Sequence, residues 1–367
     1  MTEDSPLIAG AALADPYDPA ALNGVPHNLM AALERILPAA GRVDASLNSP
    51  QRVLVAARSF HPRRDRWRER FYKNELAFRL QSRNSGRLLG SLERRPGLVV
   101  QFFGLFRTRG APYVVYTDWT HHLTRTHWPE WSPFGERDLE RWYGLERDLY
   151  AGAAHLFPWS RATADSLISF YGVPPERVTA VGVGANFDVM PPVREDGREP
   201  VVLFVGREWR RKGGDVLVDA MQRVRERIPD ARLLVVGPEE VDPAPGVELL
   251  GPVEDRARLA RLYAEAAVFC LPSRAEPFGL VVAEAMAHGV PCVVTDAGGI
   301  ADAVEDGLTG LVVPSEDPDA LAGALLRLLE DRELAARIGA EGRARVSSIV
   351  NWDRVASDMA GVIATLV

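Results

Sequence analysis

Short apolar runs, each followed by a stretch with the three-to-four-residue period of an amphipathic helix, recur along the whole of this chain. That alternation leaves few folds open. If a helix separates each strand from the next, neighbouring strands run parallel, the helices cross over them, and a sheet ends up covered by helices. In the first half "SPLIAGAAL", "RVLVAA", "GLVVQFF", "PYVVYTD" and "HLFPWS" read as strands. Between them "HNLMAALERIL", one long basic region from Arg64 to Arg95, "ERDLERWYGLERDLYAGA" and "RATADSLISFYG" read as helices. The second half repeats the scheme. Strands "PVVLFVG", "RLLVVG", "VELLG", "VFCLPS", "PCVVTD" and "GLTGLVV" alternate with helices "GGDVLVDAMQRVRERI", "DRARLARLYAEA", "GLVVAEAMAHG" and "DPDALAGALLRLLED". The chain closes on the helical "NWDRVASDMAGVIATLV". The expectation is an α/β fold with two similar parallel-sheet halves.

At 367 residues the chain exceeds the size at which one core stops growing, which agrees with two halves. The Pro-, Gly- and charge-rich "FDVMPPVREDGRE" at 187–199 has the composition of a linker, so the domains are expected at 1–190 and 191–350, with a final helix over 351–367. A hydrophobic content of 47% and a charged content of 25% suit a globular protein. No apolar run reaches the roughly 18 residues needed to span a bilayer. The leading "MTEDSPLIAG" is acidic where a secretory leader would be basic, so a cytoplasmic location is expected. Cys270 and Cys292 sit in apolar strand-like runs and read as small buried hydrophobes.

Charge is unevenly spread. The chain carries −7 overall, yet thirteen Arg or Lys face four acids between Arg52 and Arg95. Trp67, Phe71, Tyr72, Leu76 and Phe78 lie among those charges, giving the region an apolar as well as a basic side. Peripheral docking of residues 63–95 on an anionic membrane and binding of a phosphorylated or lipid-linked acceptor are the two functional readings. A solvated helix whose aromatics belong to the core weighs as much as both together. Nucleic acid is not among the expected partners. Trp119, Trp128 and Trp131 in "DWTHHLTRTHWPEW" could stack on a sugar ring, though packing is the commoner use of such residues.

Two motifs carry chemistry. After the strand "PVVLFVG" comes "REWRRKGG", where Arg207 and Lys212 bracket a loop that opens a helix. A guanidinium fork and an ammonium point charge at a strand end suit a diphosphate, although such a loop alone reads as well as a solvated basic turn. In "SRAEPFGLVVAEAMAHG", Pro277 to Gly279 make a turn from which a helix starts, so its first N–H groups face outward for an anion or sugar hydroxyls. Glu276 precedes that turn, and an acid there is also favoured by the helix dipole alone. Glu284 stands among Val, Ala and Met and therefore needs a partner. "DPD" at 317–319 reads as a helix cap rather than a metal-binding Asp-x-Asp, and "VGVGANF" lacks the third glycine of a dinucleotide fingerprint.

Taken together, the Glu276/Glu284 spacing around "PFGL", "HGVPCVVTDAGGI" downstream and "GREWRRKGG" upstream resemble the retaining glycosyltransferases built from two Rossmann-like domains, the GT-B fold of group 1 or family 4 type. "FPWSRATADSLISFYGVPPERVTAVGVGANFD" and "EDGLTGLVVPSEDPDALAGALLRLLED" extend the likeness over nearly the whole chain. The resemblance implies two Rossmann-like domains facing across a cleft, with the last helix packing back on the first. It implies a nucleotide diphosphate sugar as donor, UDP- or GDP-linked, an unidentified acceptor, and no metal or other cofactor. Gly206, Arg207 and Lys212 would meet the donor diphosphate. Glu276, Pro277 and the backbone of Phe278, Gly279, Leu280 and Val281 would hold sugar hydroxyls, Glu284 the ribose, and Pro252 and Val253 the base. An epimerase or phosphorylase on the same architecture, or a non-catalytic nucleotide-sugar binder, would use the same residues.

The chain departs from the family pattern at three places. Gly24 in "LNGVPHN" stands alone where a Gly-Gly pair is common. Asp118, followed by His121 and His122, occupies the place of a histidine near the sugar; Asp118 would contact the sugar or, equally, only cap the strand end, and His122 would meet the substrate. Asp302 in "GGIADAV" replaces a glutamate.

Overall fold

The computed structural model describes residues 6–186, 190–193 and 199–366. Parts of the expected linker, 187–189 and 194–198, lie outside the described residues. Contacts divide the chain into two units, Met1–Gly184 with Trp352–Val367 and Ala185–Asn351, and each is described by itself.

The first unit holds β1 (Ile8–Ala12), α1 (Val25–Leu33), β2 (Ala39–Asp44), α2 (Ser49–Arg58), α3 (Arg64–Tyr72), α4 (Glu75–Leu89), β3 (Leu98–Phe102), β4 (Tyr113–Thr117), α5 (His121–His127), α6 (Glu136–Gly152), β5 (His155–Pro158) and α7 (Arg161–Ser169). Its five strands lie in the order β2-β1-β3-β4-β5, all parallel. Every residue of β1, β3, β4 and β5 is buried, as expected of strands covered on both faces.

The second unit holds β6 (Val201–Val205), α8 (Gly214–Arg227), β7 (Arg232–Val236), β8 (Val247–Gly251), α9 (Arg256–Glu265), β9 (Val268–Leu271), α10 (Leu280–Ala287), β10 (Cys292–Thr295), α11 (Ile300–Ala303), β11 (Leu311–Val313), α12 (Pro318–Glu330) and α13 (Arg332–Ser348). Its sheet is again parallel, in the order β11-β10-β9-β6-β7-β8. The final helix, α14 (Trp352–Ile363), packs on α1 and so belongs to the first unit. Gly184 fits under it because a Cβ there would lie 2.4 Å from Cγ of Trp352.

The alternation of strands and helices holds, with four local corrections. "RVLVAA" is not a strand but the body of α2. Asn48 accepts from Gln51 N–H while the Gln51 side chain accepts from Asn48 N–H, and this reciprocal cap starts a helix that the apolar run alone leaves ambiguous. The strand of this region is β2, upstream, in the less apolar "AAGRVD". The long basic region is two helices. Asn74 separates them, its oxygen accepting from Ala77 N–H at the start of α4 and its amide donating to the Arg70 and Phe71 carbonyls at the end of α3. Finally, 332–348 forms α13, whose Gly339 and Gly342 hid it. A Cβ on Gly339 would come within 2.3 Å of the Gly289 carbonyl, so the glycine allows α13 to lie against the end of α10.

Each sheet reverses its direction of growth once. In the first the reversal falls between β1 and β3, in the second between β6 and β9. Loops leaving the carboxyl ends of strands diverge at such a switch point and leave a crevice for ligands.

Candidate functional site

In the second unit, the loops after β6 and β9 flank the switch point and are tied together. Arg274 N–H donates to the Arg211 carbonyl at 2.8 Å, and the Arg211 guanidinium donates to the Ala275 carbonyl at 2.5 Å. Arg211 also grips Glu208 at 2.5 Å, while Arg274 pairs with Asp215 at 2.6 Å and with Glu316.

Within this frame Lys212 Nζ donates to Glu276 Oε2 at 2.8 Å, and Arg211 Nη1 stands 3.5 Å from the same oxygen. The three side chains are almost fully buried. Burial alone would raise the Glu276 pKa, but Lys212 and Arg211 outweigh it and hold the carboxyl below its ordinary range. The ionised form is therefore fixed, and removing one partner of such a group typically costs about 3–5 kcal/mol. Both cations use Oε2, which leaves Oε1 to accept from a ligand hydroxyl.

Backbone glycines make room for this pair. A Cβ on Gly206 would lie 2.2 Å from Cδ of Lys212, so only glycine lets the lysine stem pass the end of β6. Gly213 has φ of +69°, and a Cβ there would sit 1.8 Å from the Pro272 carbonyl oxygen at the end of β9. Arg207 is exposed at the tip of β6.

The turn after Glu276 behaves as the sequence suggests. Phe278 is buried, and Gly279, with φ of +85°, begins α10 without any side-chain cap. The first-turn N–H groups around Leu280 and Val281 are thus left for a ligand. Pro277 leads into this turn, and the Glu276 carbonyl accepts from Gly299 N–H at 2.8 Å. Glu284 is half-buried on α10 and has found a partner in Tyr263, whose hydroxyl donates to it at 3.0 Å. Burial raises its pKa despite that bond. It belongs with Tyr263 on α9 and not with the Lys212–Glu276 pair.

The remaining candidates are more dispersed. Pro252 is exposed and Val253 half-buried just beyond β8, two strands away from β6. Asp302 lies in α11, where its carbonyl accepts from Arg345 at 3.0 Å. In the first unit Gly24 is the buried left-handed residue, φ 74°, that starts α1. Asp118 directly follows β4, its carbonyl accepting from Thr163 Oγ1 at 2.8 Å. His122 stacks on Phe170 at 3.8 Å, and burial lowers its pKa. His121 is buried against Phe134 and pushed down to about 3, mainly by desolvation. Asp317 caps α12 by accepting from Asp319 and Ala320 N–H. Among the described residues no cluster of three or more His, Cys, Asp or Glu is placed to hold a metal ion.

Sequence reasoning missed several features. Arg211 is the buried arginine of "REWRRKGG", and a run of three arginines within five residues gives no pattern that would single it out. Tyr263 could be found only through the α9–α10 packing. Leu22 and Asn23 have φ of 51° and 57°, left-handed for residues with a Cβ, in the loop that follows β1. Phe103, φ 65°, follows β3 on the other flank of the same switch point.

Residues 199–331 match the family described as "Glycosyl transferases group 1". A D-inositol 3-phosphate glycosyltransferase of Xylanimonas cellulosilytica is 35% identical over 248 residues, 60% of this chain and 58% of the relative. The enzyme of the same name from Jonesia denitrificans is 33% identical over 247 residues, 59% of this chain and 58% of the relative. This chain therefore spans less than two thirds of the length of those curated relatives. Among solved structures, sucrose-phosphate synthase of Thermosynechococcus elongatus superposes with a TM-score of 0.72 at 22% identity, covering 98% of this chain and 99% of that one. HepE of Anabaena, solved in complex with UDP, gives 0.67 at 17% identity, over 98% and 100%. These likenesses show the fold: two parallel-sheet units of the GT-B glycosyltransferase type. Among the described residues no helix is long and apolar enough to cross a membrane.

Proposed function

We propose that this chain, a group 1 glycosyltransferase by the match of its second unit and the fold of both, transfers a sugar from a nucleotide diphosphate donor to an acceptor hydroxyl, with retention and without a metal. The observation that carries the reading is the buried Lys212–Glu276 pair at the switch point of the second sheet, beside the uncapped start of α10. Lys212, Arg207 and the α10 N–H groups would meet the diphosphate, where negative charge grows as the bond to the sugar breaks. Glu276 Oε1 would hold a sugar hydroxyl. Glu284, kept in place by Tyr263, would accept from the ribose diol, with Pro252 and Val253 near the base. In the step itself the anomeric carbon–oxygen bond to phosphate breaks and the acceptor oxygen bonds on the same face. The departing phosphate oxygen takes the acceptor's proton, so the protein contributes position and charge. HepE has been solved with UDP and with UDP-glucose, which supports testing UDP-linked sugars first.

Thermal unfolding in the presence of UDP, GDP and their sugars tests the donor half. A bound nucleotide at about 100 times its Kd adds roughly 2.7 kcal/mol. A midpoint unmoved by every nucleotide diphosphate refutes the reading. Labelled donor then separates the activities: transfer to an added acceptor is expected, whereas conversion of donor alone would identify an epimerase.

A further inference from the structure

Two cavities open in the first unit around α3, and they differ in charge. One, of about 710 Å³, is lined by Arg63, Arg66 and Arg125 and by as many acids, Asp65, Glu69 and Glu130. The other, of about 630 Å³, lies on the far side of Pro133 and Phe134. Five cations line it: Arg58 from α2, Arg70 from α3, Lys73, Arg79 from α4 and Arg141 from α6.

Only two carboxylates face those five, and both are engaged. Glu75 pairs with Arg79 at 2.5 Å and Asp138 lies 3.6 Å from Arg141. Lys73 is occupied by Glu69, from the neighbouring cavity, at 3.0 Å and by the Trp131 carbonyl at 2.6 Å. Arg58 and Arg70 are left, and among the described residues neither guanidinium meets a carboxylate. Two planar forks from different helices suit the oxygens of a phosphate or carboxylate.

Apart from Ser59 and Asn74, the rest of the cavity is apolar. Leu76, Phe134, Trp142 and Leu145 line it, with Trp142 almost fully buried. Its volume is that of a pocket for a small organic molecule. α4 and α6 precede β3 and β5, so in a parallel sheet their first turns, which line the cavity, lie toward the carboxyl ends of the strands.

We infer that the cavity between α2, α3, α4 and α6 is a binding site for a small anionic molecule whose phosphate or carboxylate sits on an apolar or aromatic body, the anion held by Arg58 and Arg70. The inference concerns the first unit alone and stands apart from the donor reading.

Titration calorimetry with phenyl phosphate, benzoate, inorganic phosphate and phenol tests it. Phenyl phosphate is expected to bind at least about tenfold more tightly than inorganic phosphate or phenol, each of which satisfies one half of the site. Benzoate sorts carboxylate from phosphate, and either anion binding above its parts supports the site. The double variant Arg58→Gln/Arg70→Gln is expected to lose at least about tenfold in affinity, as for one or two charge-assisted hydrogen bonds, with its thermal midpoint and its UDP affinity unchanged. The single Arg70→Gln variant, at a position with no ion pair to lose, is expected to give an intermediate loss. Failure of both aromatic anions to bind the wild type, equal affinity for inorganic phosphate, or unchanged binding in the double variant overturns the inference. UDP binding without aromatic-anion binding sinks this site and leaves the donor reading intact. Aromatic-anion binding without UDP binding does the reverse.

Discussion

Among the described residues each unit buries one glutamate almost fully, and the two behave in opposite ways. Glu276 has Lys212 and Arg211 beside it and stays ionised. Glu146, on α6, accepts from Tyr171 O–H and from His121 N–H at 3.2 Å, and burial pushes it up to about 7. Burial acts in the same direction on both, so the partners decide which charge state the fold keeps. The same contrast holds for the switch points. That of the second unit is built from paired charges and fitted glycines, whereas that of the first has left-handed Leu22, Asn23 and Phe103 on its flanks. The first unit carries its cationic surplus on α2 to α4.

The largest expected effect would test whether charge at the second switch point does the work. Lys212→Ala should lower transfer by about 10²–10³-fold, as for loss of a preorganised donor to developing charge. Near-normal turnover would break the comparison at its strongest point. Gly206→Ala reaches the same lysine indirectly: its Cβ would displace Cδ of Lys212, and a loss of at least about tenfold in rate with about 1–3 kcal/mol in stability is expected. Both are read by steady-state kinetics beside chemical denaturation.

The pH dependence of stability probes the other glutamate. A carboxyl raised from 4.5 to about 7 keeps its proton in the folded state while the unfolded chain has released it. Stability conferred through Glu146 is therefore full below pH 4.5 and falls as pH rises through about 7, by roughly 3 kcal/mol. His121, pushed down to about 3, gives the opposite slope, since the unfolded chain gains a proton below its ordinary 6.5 that the folded state refuses. The difference between wild type and Glu146→Gln in urea titrations isolates the glutamate. An identical pH slope in both proteins would show that folding leaves the Glu146 pKa where it is in the unfolded chain. The smallest effect is expected at Glu284→Ala, about tenfold in donor affinity by calorimetry, with the rate at saturation nearly kept. An unchanged affinity would remove Glu284 from the ribose.

Much of the architecture was legible because burial on both faces writes a strand as an unbroken apolar run, as in "LVVQF", "YVVYT" and "VVLFV". Where that signal weakens, reading fails. The edge strand β2 is half-exposed and carries no unbroken apolar run, while α2 carries Val53 and Leu54 outward and so resembles a strand. Its true marker was local, the cap between Asn48 and Gln51. At the candidate site the turn through Gly279 and the need of Glu284 for a partner were readable, because backbone sterics and desolvation act on individual residues. That Arg211 is the buried arginine, and that Lys212 reaches Glu276 across 64 positions, depends on which strands lie side by side. No local pattern encodes that.

The return of α14 to the first unit has a consequence for biosynthesis. Val355, Ala356, Met359, Ala360 and Ile363 are buried in that unit, yet a ribosome makes them only after the entire second unit. Until they emerge, the α1 surface on which α14 packs stays wet and available to chaperones or to like chains. The later-made unit is contiguous and can be finished first, so the half that is translated earliest is the half that matures last.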